Sequence, residues 1–398
     1  MPGVLVLDGL WNKTVAAVRS LGRRGYRVAA GERTRFAPAL FSKYCSRRFI
    51  YPSPTLFPEA FLDALVEEVR VGRYDVLLAM EFATQVLVAR NRHRLAGMAR
   101  FPFAPGDLAV RVQDKGELAS FAAARGVECP ATYVPGGPGE VPGMSEGLPY
   151  PLLIKPRLSS GGRGIVRVDT PSQLRSKYPG VHAAHPYPIL QECLPPGGAA
   201  LGVGVLMNFS SEPRAAFAYR RLREYPVAGG PSTLRESVRD ESLCRTTERL
   251  LSDLGWVGVA MAEYKVDPRD GRPKLLEVNP RFWGSLHHAV VSGVDFPHLL
   301  CRMAIDGDVP PVREYRVGVR SRSVIHGELM HFLANPDRFR LRPGFFDFSI
   351  PDDLLSASDP WPVAGRVAAL IPACYDRELR HTMFGSMPGE GAAGRRPG

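Results

Sequence analysis

Glu277 and Asn279 stand two residues apart, so on a strand both side chains face the same side. Glu263 precedes them across the turn Asp267-Pro268-Arg269-Asp270-Gly271 and can meet them over a hairpin. Carboxylate and amide oxygens are hard ligands that suit magnesium, which favours carboxylates together with phosphate oxygens. Acids and amides are also poor strand formers, so a purely structural role explains this pair badly. Arg281 repeats the same facing two residues further on. Upstream, Lys115 begins a helix, against the helix dipole, and Lys155 ends a strand. After Lys155 comes the loop Ser159-Ser160-Gly161-Gly162-Arg163-Gly164, rich in backbone N–H donors. Two lysines and such a loop can neutralise and cradle a polyphosphate. The whole set has the chemistry to bind Mg-ATP.

These residues need elements to hold them. An apolar run at 4–7, helically spaced Val15, Val18 and Leu21, and a further strand at 27–30 open the chain. An amphipathic stretch at 57–70 and an apolar run at 76–80 follow, an order that favours a parallel sheet covered by helices. No G-x-G-x-x-G follows the first strand, so a dinucleotide fingerprint is lacking. Glu81 stands at the carboxyl end of the 76–80 strand, where ligands bind in open α/β sheets; it reads as a receptor for a substrate amine or as a helix-start acid. A helix is expected between 107 and 126, with Asp114 capping its N-terminus, and a loop and boundary over 130–151. Strands are expected at 152–155, 165–168, 189–192, 203–207, 259–266 and 274–278, with a helix over 241–254. Arg220, Arg221 and Arg223 have three readings: a solvated edge strand, a clamp for a substrate carboxylate, or a polyanion patch. The pair His287-His288 reads as structural, because adjacent helix positions point apart, and Trp283 as packing near the site.

Length and composition agree with a soluble enzyme of two or three domains: 398 residues, 45% hydrophobic and 23% charged. The formal net charge of +11 suggests a nucleic acid or a small anionic ligand. Lys115, Lys155, Arg163, Arg220, Arg221, Arg223 and Arg281 all fall in the motifs above, which favours the small ligand and argues against nucleic acid. The six cysteines form no C-x-x-C pair and read as reduced thiols of a cytoplasmic protein. Neither a membrane span nor a signal peptide is expected.

The order of these motifs resembles the ATP-grasp superfamily, in particular its carboxylate–amine ligase branch. The resemblance runs from about residue 1 to at least 310. Its most specific parts are Glu277–Arg281 continuing into Phe282-Trp283-Gly284-Ser285-Leu286, and Arg220–Pro226 followed by Gly229-Gly230-Pro231-Ser232-Thr233. It implies an α/β fold in which an N-terminal Rossmann-like (pre-ATP-grasp) domain, 1–108, precedes a two-subdomain α+β ATP-grasp fold. The lid subdomain with the glycine loop would be 109–192 and the subdomain with the magnesium ligands 193–312, followed by a C-terminal extension, 313–385, and a disordered tail, 386–398. ATP would be bound by Lys115, Lys155, Ser160, Gly161, Gly162, Gly164, Gln191, Glu192, Cys193 and Leu194, with Glu192 receiving the adenine amino group. Glu263, Glu277 and Asn279 would hold one or two Mg2+ ions, with Mn2+ able to substitute, and Arg281 would steady the transferred phosphoryl group. Arg220, Arg221, Arg223, Ser285 and Glu81 are the substrate-binding candidates. Many relatives carry an acidic residue for the ribose just after the hinge, whereas this chain reads Pro195-Pro196-Gly197-Gly198-Ala199-Ala200. The implied activity joins a small-molecule carboxylate, such as an amino acid or small peptide, to an amine through an acyl phosphate, releasing ADP and phosphate. A homodimer is compatible with it. The alternatives are a kinase-type phosphotransferase acting on a small molecule and a nonenzymatic nucleotide-binding protein.

Overall fold

The computed structural model describes residues 1–159, 161–227 and 229–384; Ser160 and the tail expected from 386 lie outside the described residues. Apolar residues on alternate positions of the first strand are used on both sides of a sheet. Val4 and Val6 enter one core with Val15, Val18 and Leu21, while Leu5 and Leu7 enter another with Phe61, Leu65 and Val69. The sheet is parallel, with strands β1 (Gly3–Val6), β2 (Arg27–Glu32), β3 (Cys45–Ile50) and β4 (Val76–Leu78) in the order β3-β2-β1-β4. Helices Asn12–Arg23 and Pro58–Gly72 supply the two covers.

Four short strands make a second, antiparallel sheet: β5 (Thr132–Tyr133), β6 (Leu152–Lys155), β7 (Val166–Val168) and β8 (Ile189–Glu192), ordered β5-β8-β6-β7. Helix Pro171–Ala184 covers it with Leu174 and Tyr178. The 130–151 stretch is therefore more than a loop, since it holds β5 and the short helix Val141–Met144.

The third sheet has six strands: β9 (Ala200–Met207), β10 (Pro213–Glu224), β11 (Ser232–Val238), β12 (Gly258–Val266), β13 (Pro273–Asn279) and β14 (Arg320–Arg322), in the order β13-β12-β9-β10-β11-β14. Helices Gly106–Gln113, Lys115–Ala123 and Glu241–Asp253 pack on one face through Val112, Leu118 and Leu250. Helices Leu286–Ser292 and Phe296–Asp306 pack on the other and join this sheet to the N-terminal one in a shared core. A further helix, Gly106–Gln113, stands before Lys115–Ala123, the helix that Asp114 is expected to cap. Asp114 is extended, ends the first, and caps the second by accepting from the N–H groups of Gly116 and Glu117. The arginine run is no edge strand, because β10 lies between β9 and β11.

The C-terminal residues fold back on the N-terminal layer. Arg19 donates to Asp359 Oδ2 (2.9 Å) and to the carbonyls of Leu354 (2.9 Å) and Asp359 (2.6 Å). The six cysteines are unpaired. No described helix is long and apolar enough to cross a membrane.

Candidate active site

Antiparallel register sets Glu263 of β12 directly opposite Glu277 of β13, with Met261 opposite Asn279. Like charges facing each other across a ladder are unfavourable on their own. Neighbours compensate for them. Lys115 Nζ lies 3.1 Å from Glu277 Oε2, and Arg221 forms an ion pair with Glu263 Oε2. The Asn279 amide donates to Glu263 Oε1 (3.2 Å) and Glu277 Oε1 (3.4 Å). Burial raises the pKa of Glu263, and Arg221 works against that rise. Burial alone would weaken the Arg221 proton, but Glu263 reverses this and holds its pKa above the ordinary arginine value.

Helix Lys115–Ala123 places Lys115 at its first position because Asp114 caps it, and Arg157 then donates to Asp114 Oδ2 (2.6 Å). Lys115 Nζ also donates to the carbonyl of Ser159, so the base of the glycine loop is docked on this helix start. Gly161, Gly162 and Gly164 have φ of 65°, 75° and 74°, a region that side-chain-bearing residues adopt at a cost. Lys155 is buried at the end of β6 and donates to Gln191 Oε1 (2.6 Å), a diagonal neighbour on β8. Burial lowers its pKa to about 8, with Glu277 pulling the other way.

The strand leading from the small sheet to the large one carries the expected adenine contacts. Cys193 N–H donates to the carbonyl of Pro151 (3.0 Å), and Lys265 reaches the carbonyl of Leu194 (3.5 Å). The Glu192 carboxylate accepts from Arg269 (2.5 Å) and from the N–H of Ala131 (3.3 Å). Arg269 was not singled out from the sequence. The glycine segment that replaces the ribose acid is pressed onto the end of β12: a Cβ at Gly198 would lie 1.7 Å from the carbonyl oxygen of Val266.

Of the three arginines on β10, only Arg221 joins the carboxylates. A β-bulge between Arg221 and Arg223 changes the strand parity. Arg220 instead shares Glu236 with Arg320, and Arg223 is buried against Glu328. Ser285 precedes helix Leu286–Ser292, near Tyr219, whose hydroxyl donates to Met261 Sδ (3.9 Å). Trp283 is fully buried against Gly204 and Phe296; His288 is buried between Phe217 and Tyr219.

Arg281 follows β13 and donates from Nη1 to the carbonyl of Phe282 (2.9 Å), while its Nε is buried with no hydrogen-bond partner. Its charge reaches Glu263 and Glu81. Glu81 stands just before helix Phe82–Arg90, without capping it, and pairs with the buried Lys13. Burial opposes ionisation of Glu81, yet Lys13 and Arg281 outweigh it and hold the pKa below the usual carboxylate value. Lys13 and Gln85, whose amide donates to the carbonyl of Pro280 (2.8 Å), were missed in the sequence. For Lys13 a signal was present, because it sits in the first turn of helix Asn12–Arg23 with the same anti-dipole placement that marks Lys115.

Two carboxylates and an amide oxygen fit magnesium better than a softer metal. Among the described residues no group of three or more His, Cys, Asp or Glu could hold a metal ion.

Residues 209–326 match the family described as ATP-grasp in the biosynthetic pathway with Ter operon, a span that includes Arg221, Glu263, Glu277, Asn279 and Arg281. The carbamoyl phosphate synthase large chain of Thermotoga neapolitana is 28% identical over 177 residues, covering 42% of this chain but only 16% of that relative. Among solved structures, a biotin carboxylase–ATP-analogue complex from Campylobacter jejuni is similar with a TM-score of 0.65 at 15% identity, over 80% of this chain and 74% of that one. An L-amino acid ligase from Bacillus licheniformis is similar with a TM-score of 0.59 at 18% identity, over 78% of each chain. The family match over 209–326 and these likenesses together support the ATP-grasp superfamily, in its carboxylate–amine ligase branch.

Proposed function

We propose that this protein is an ATP-dependent carboxylate–amine ligase. The observation that carries the reading is the convergence of Glu263, Glu277 and Asn279 with Lys115, Lys155, Arg221 and Arg281. The N-terminal parallel sheet would serve as the Rossmann-like domain, the small sheet as the lid and the large sheet as the metal-bearing subdomain. Glu263, Glu277 and Asn279 would hold magnesium, which when bound shields phosphate charge.

The substrate carboxylate oxygen attacks the γ-phosphorus of ATP, the bond to the β-phosphate oxygen breaks, and ADP leaves. An amine nitrogen then attacks the carbonyl carbon of the acyl phosphate. The C–O bond to phosphate breaks, the nitrogen loses a proton, and an amide and inorganic phosphate result. This chemistry needs alignment and charge neutralisation and no protein nucleophile. Lys115 and Lys155 would meet the phosphates, with Arg281 beside the transferred group. The likeness to an amino acid ligase supports amino acids or small peptides as substrates. A screen of amino-acid pairs for phosphate release, with mass detection of products, tests the reading. ADP, phosphate and a condensed product are expected. AMP with pyrophosphate, or a phosphorylated acid that no amine consumes, would overturn it.

A further inference from the structure

We propose that Lys13 and Gln85 are positioning residues for Arg281, acting through the two peptide carbonyls on either side of it. The inference rests on the phosphoryl-steadying role given to Arg281 above. Gln85 Nε2 donates to the carbonyl of Pro280 (2.8 Å) and Lys13 Nζ to the carbonyl of Phe282 (3.1 Å). Both side chains are almost wholly buried, at 0% and 3% exposure. The backbone is thus held at the peptide that enters Arg281 and at the peptide that leaves Phe282.

Both grips come from the N-terminal layer. Lys13 lies in the first turn of helix Asn12–Arg23, which follows β1, and Gln85 in the first turns of helix Phe82–Arg90, which follows β4. Asp8 locks the start of the second helix: its Oδ2 accepts from Met80 N–H (2.9 Å) and Glu81 N–H (2.7 Å), and its Oδ1 from Thr84 Oγ1 (2.7 Å). Glu81 pairs with Lys13, which fixes the ammonium in turn. Arg281 Nη1 shares the Phe282 carbonyl with Lys13. With the peptide entering Arg281 and the peptide leaving Phe282 both held, the guanidinium has a fixed base, and its buried Nε has no hydrogen-bond partner. Rigid placement matters because small misplacements of a group that stabilises transferring charge are costly.

The test compares binding of Mg-ADP with binding of Mg-ADP plus aluminium fluoride, a mimic of the transferred phosphoryl group, by isothermal titration. Parent protein should bind the fluoride complex more tightly than Mg-ADP alone, and Arg281→Ala should lose that advantage. Lys13→Met and Gln85→Met should each reduce it about ten-fold, the size of one lost charge-assisted or buried hydrogen bond, with Mg-ADP affinity unchanged. Lys13→Arg should retain most of it. Either variant combined with Arg281→Ala should bind no worse than Arg281→Ala alone. Full retention in both Met variants, or additive losses in the double variants, would overturn the inference. An Arg281→Ala protein that keeps the advantage would instead remove the role given to Arg281. Thermal unfolding controls for folding, and should Lys13→Met not fold, Gln85→Met carries the same test.

Discussion

Arg221→Met offers a direct measurement of how the carboxylate cluster is held together. Glu263 and Glu277 face each other across the hairpin, and Arg221 is the cation on Glu263. Removing one partner of a buried pair costs about 3–5 kcal/mol, because the remaining charge is left without compensation. The Glu263 side chain keeps 19% exposure and the Asn279 N–H, which places the expected loss at the low end, about 3 kcal/mol. Burial already raises the Glu263 pKa, and the loss of Arg221 raises it further. A carboxyl group whose folded pKa is raised destabilises the fold as pH climbs from the ordinary value of 4.5 to the raised one, and the penalty is absent below that range. The extra instability of Arg221→Met should therefore be full at pH 8 and shrink steadily toward pH 4.5. Urea unfolding followed by the fluorescence of the buried Trp256 and Trp283 reports on this sheet. Glu263→Gln placed in the Arg221→Met background should recover most of the loss. A cost below about 1 kcal/mol, the value of an exposed ion pair, would refute the reasoning. So would a double variant no more stable than Arg221→Met.

Glu277→Ala and Asn279→Ala should each abolish ADP release from Mg-ATP while the circular dichroism spectrum is unchanged; continued turnover would remove both from the metal set. The Lys155 pKa of about 8 predicts that affinity for ADP falls as pH rises from 7 to 9, and that Lys155→Met binds weakly at every pH with this slope lost. Equal slopes in the two proteins would assign the pH dependence elsewhere. Asp359→Ala strands the buried Arg19 and should cost about 3–5 kcal/mol in thermal or urea unfolding, with nucleotide affinity retained in the folded fraction. Gly204→Ala should destabilise the large sheet, since the new Cβ would meet the Trp283 ring at 2.4 Å; a protein as stable as the parent would show that Trp283 can move aside.

The carboxylate cluster was legible in the sequence because it depends on local rules. Strand parity puts Glu277 and Asn279 on one face, and the short turn between Val266 and Pro273 returns the chain so that Glu263 meets them. Lys115 was legible through its cap, Asp114. The arginines of β10 were not separable, because a bulge shifts their parity and parity was the only rule available. The separate helix Gly106–Gln113 that stands just before this cap was not legible, because the apolar spacing continues from it into the next. Lys13, Gln85 and the Arg19–Asp359 pair depend on residues 269, 195 and 340 positions away, and no local pattern reports such partners.

The ion pairs of the site have one more consequence. Glu277 and Glu263 each hold a cation of the protein's own, Lys115 and Arg221. The cluster is an internal salt that is already neutralised. A metal ion arriving alone would have to displace those cations and leave them without counterions; a polyphosphate arriving alone would strip the same cations and strand the acids. Arriving together, they would exchange partners with it, the metal taking the carboxylates and the phosphates the freed cations. Each newcomer would therefore raise the affinity for the other by an equal factor, and the cluster would work as a conjunction of two inputs.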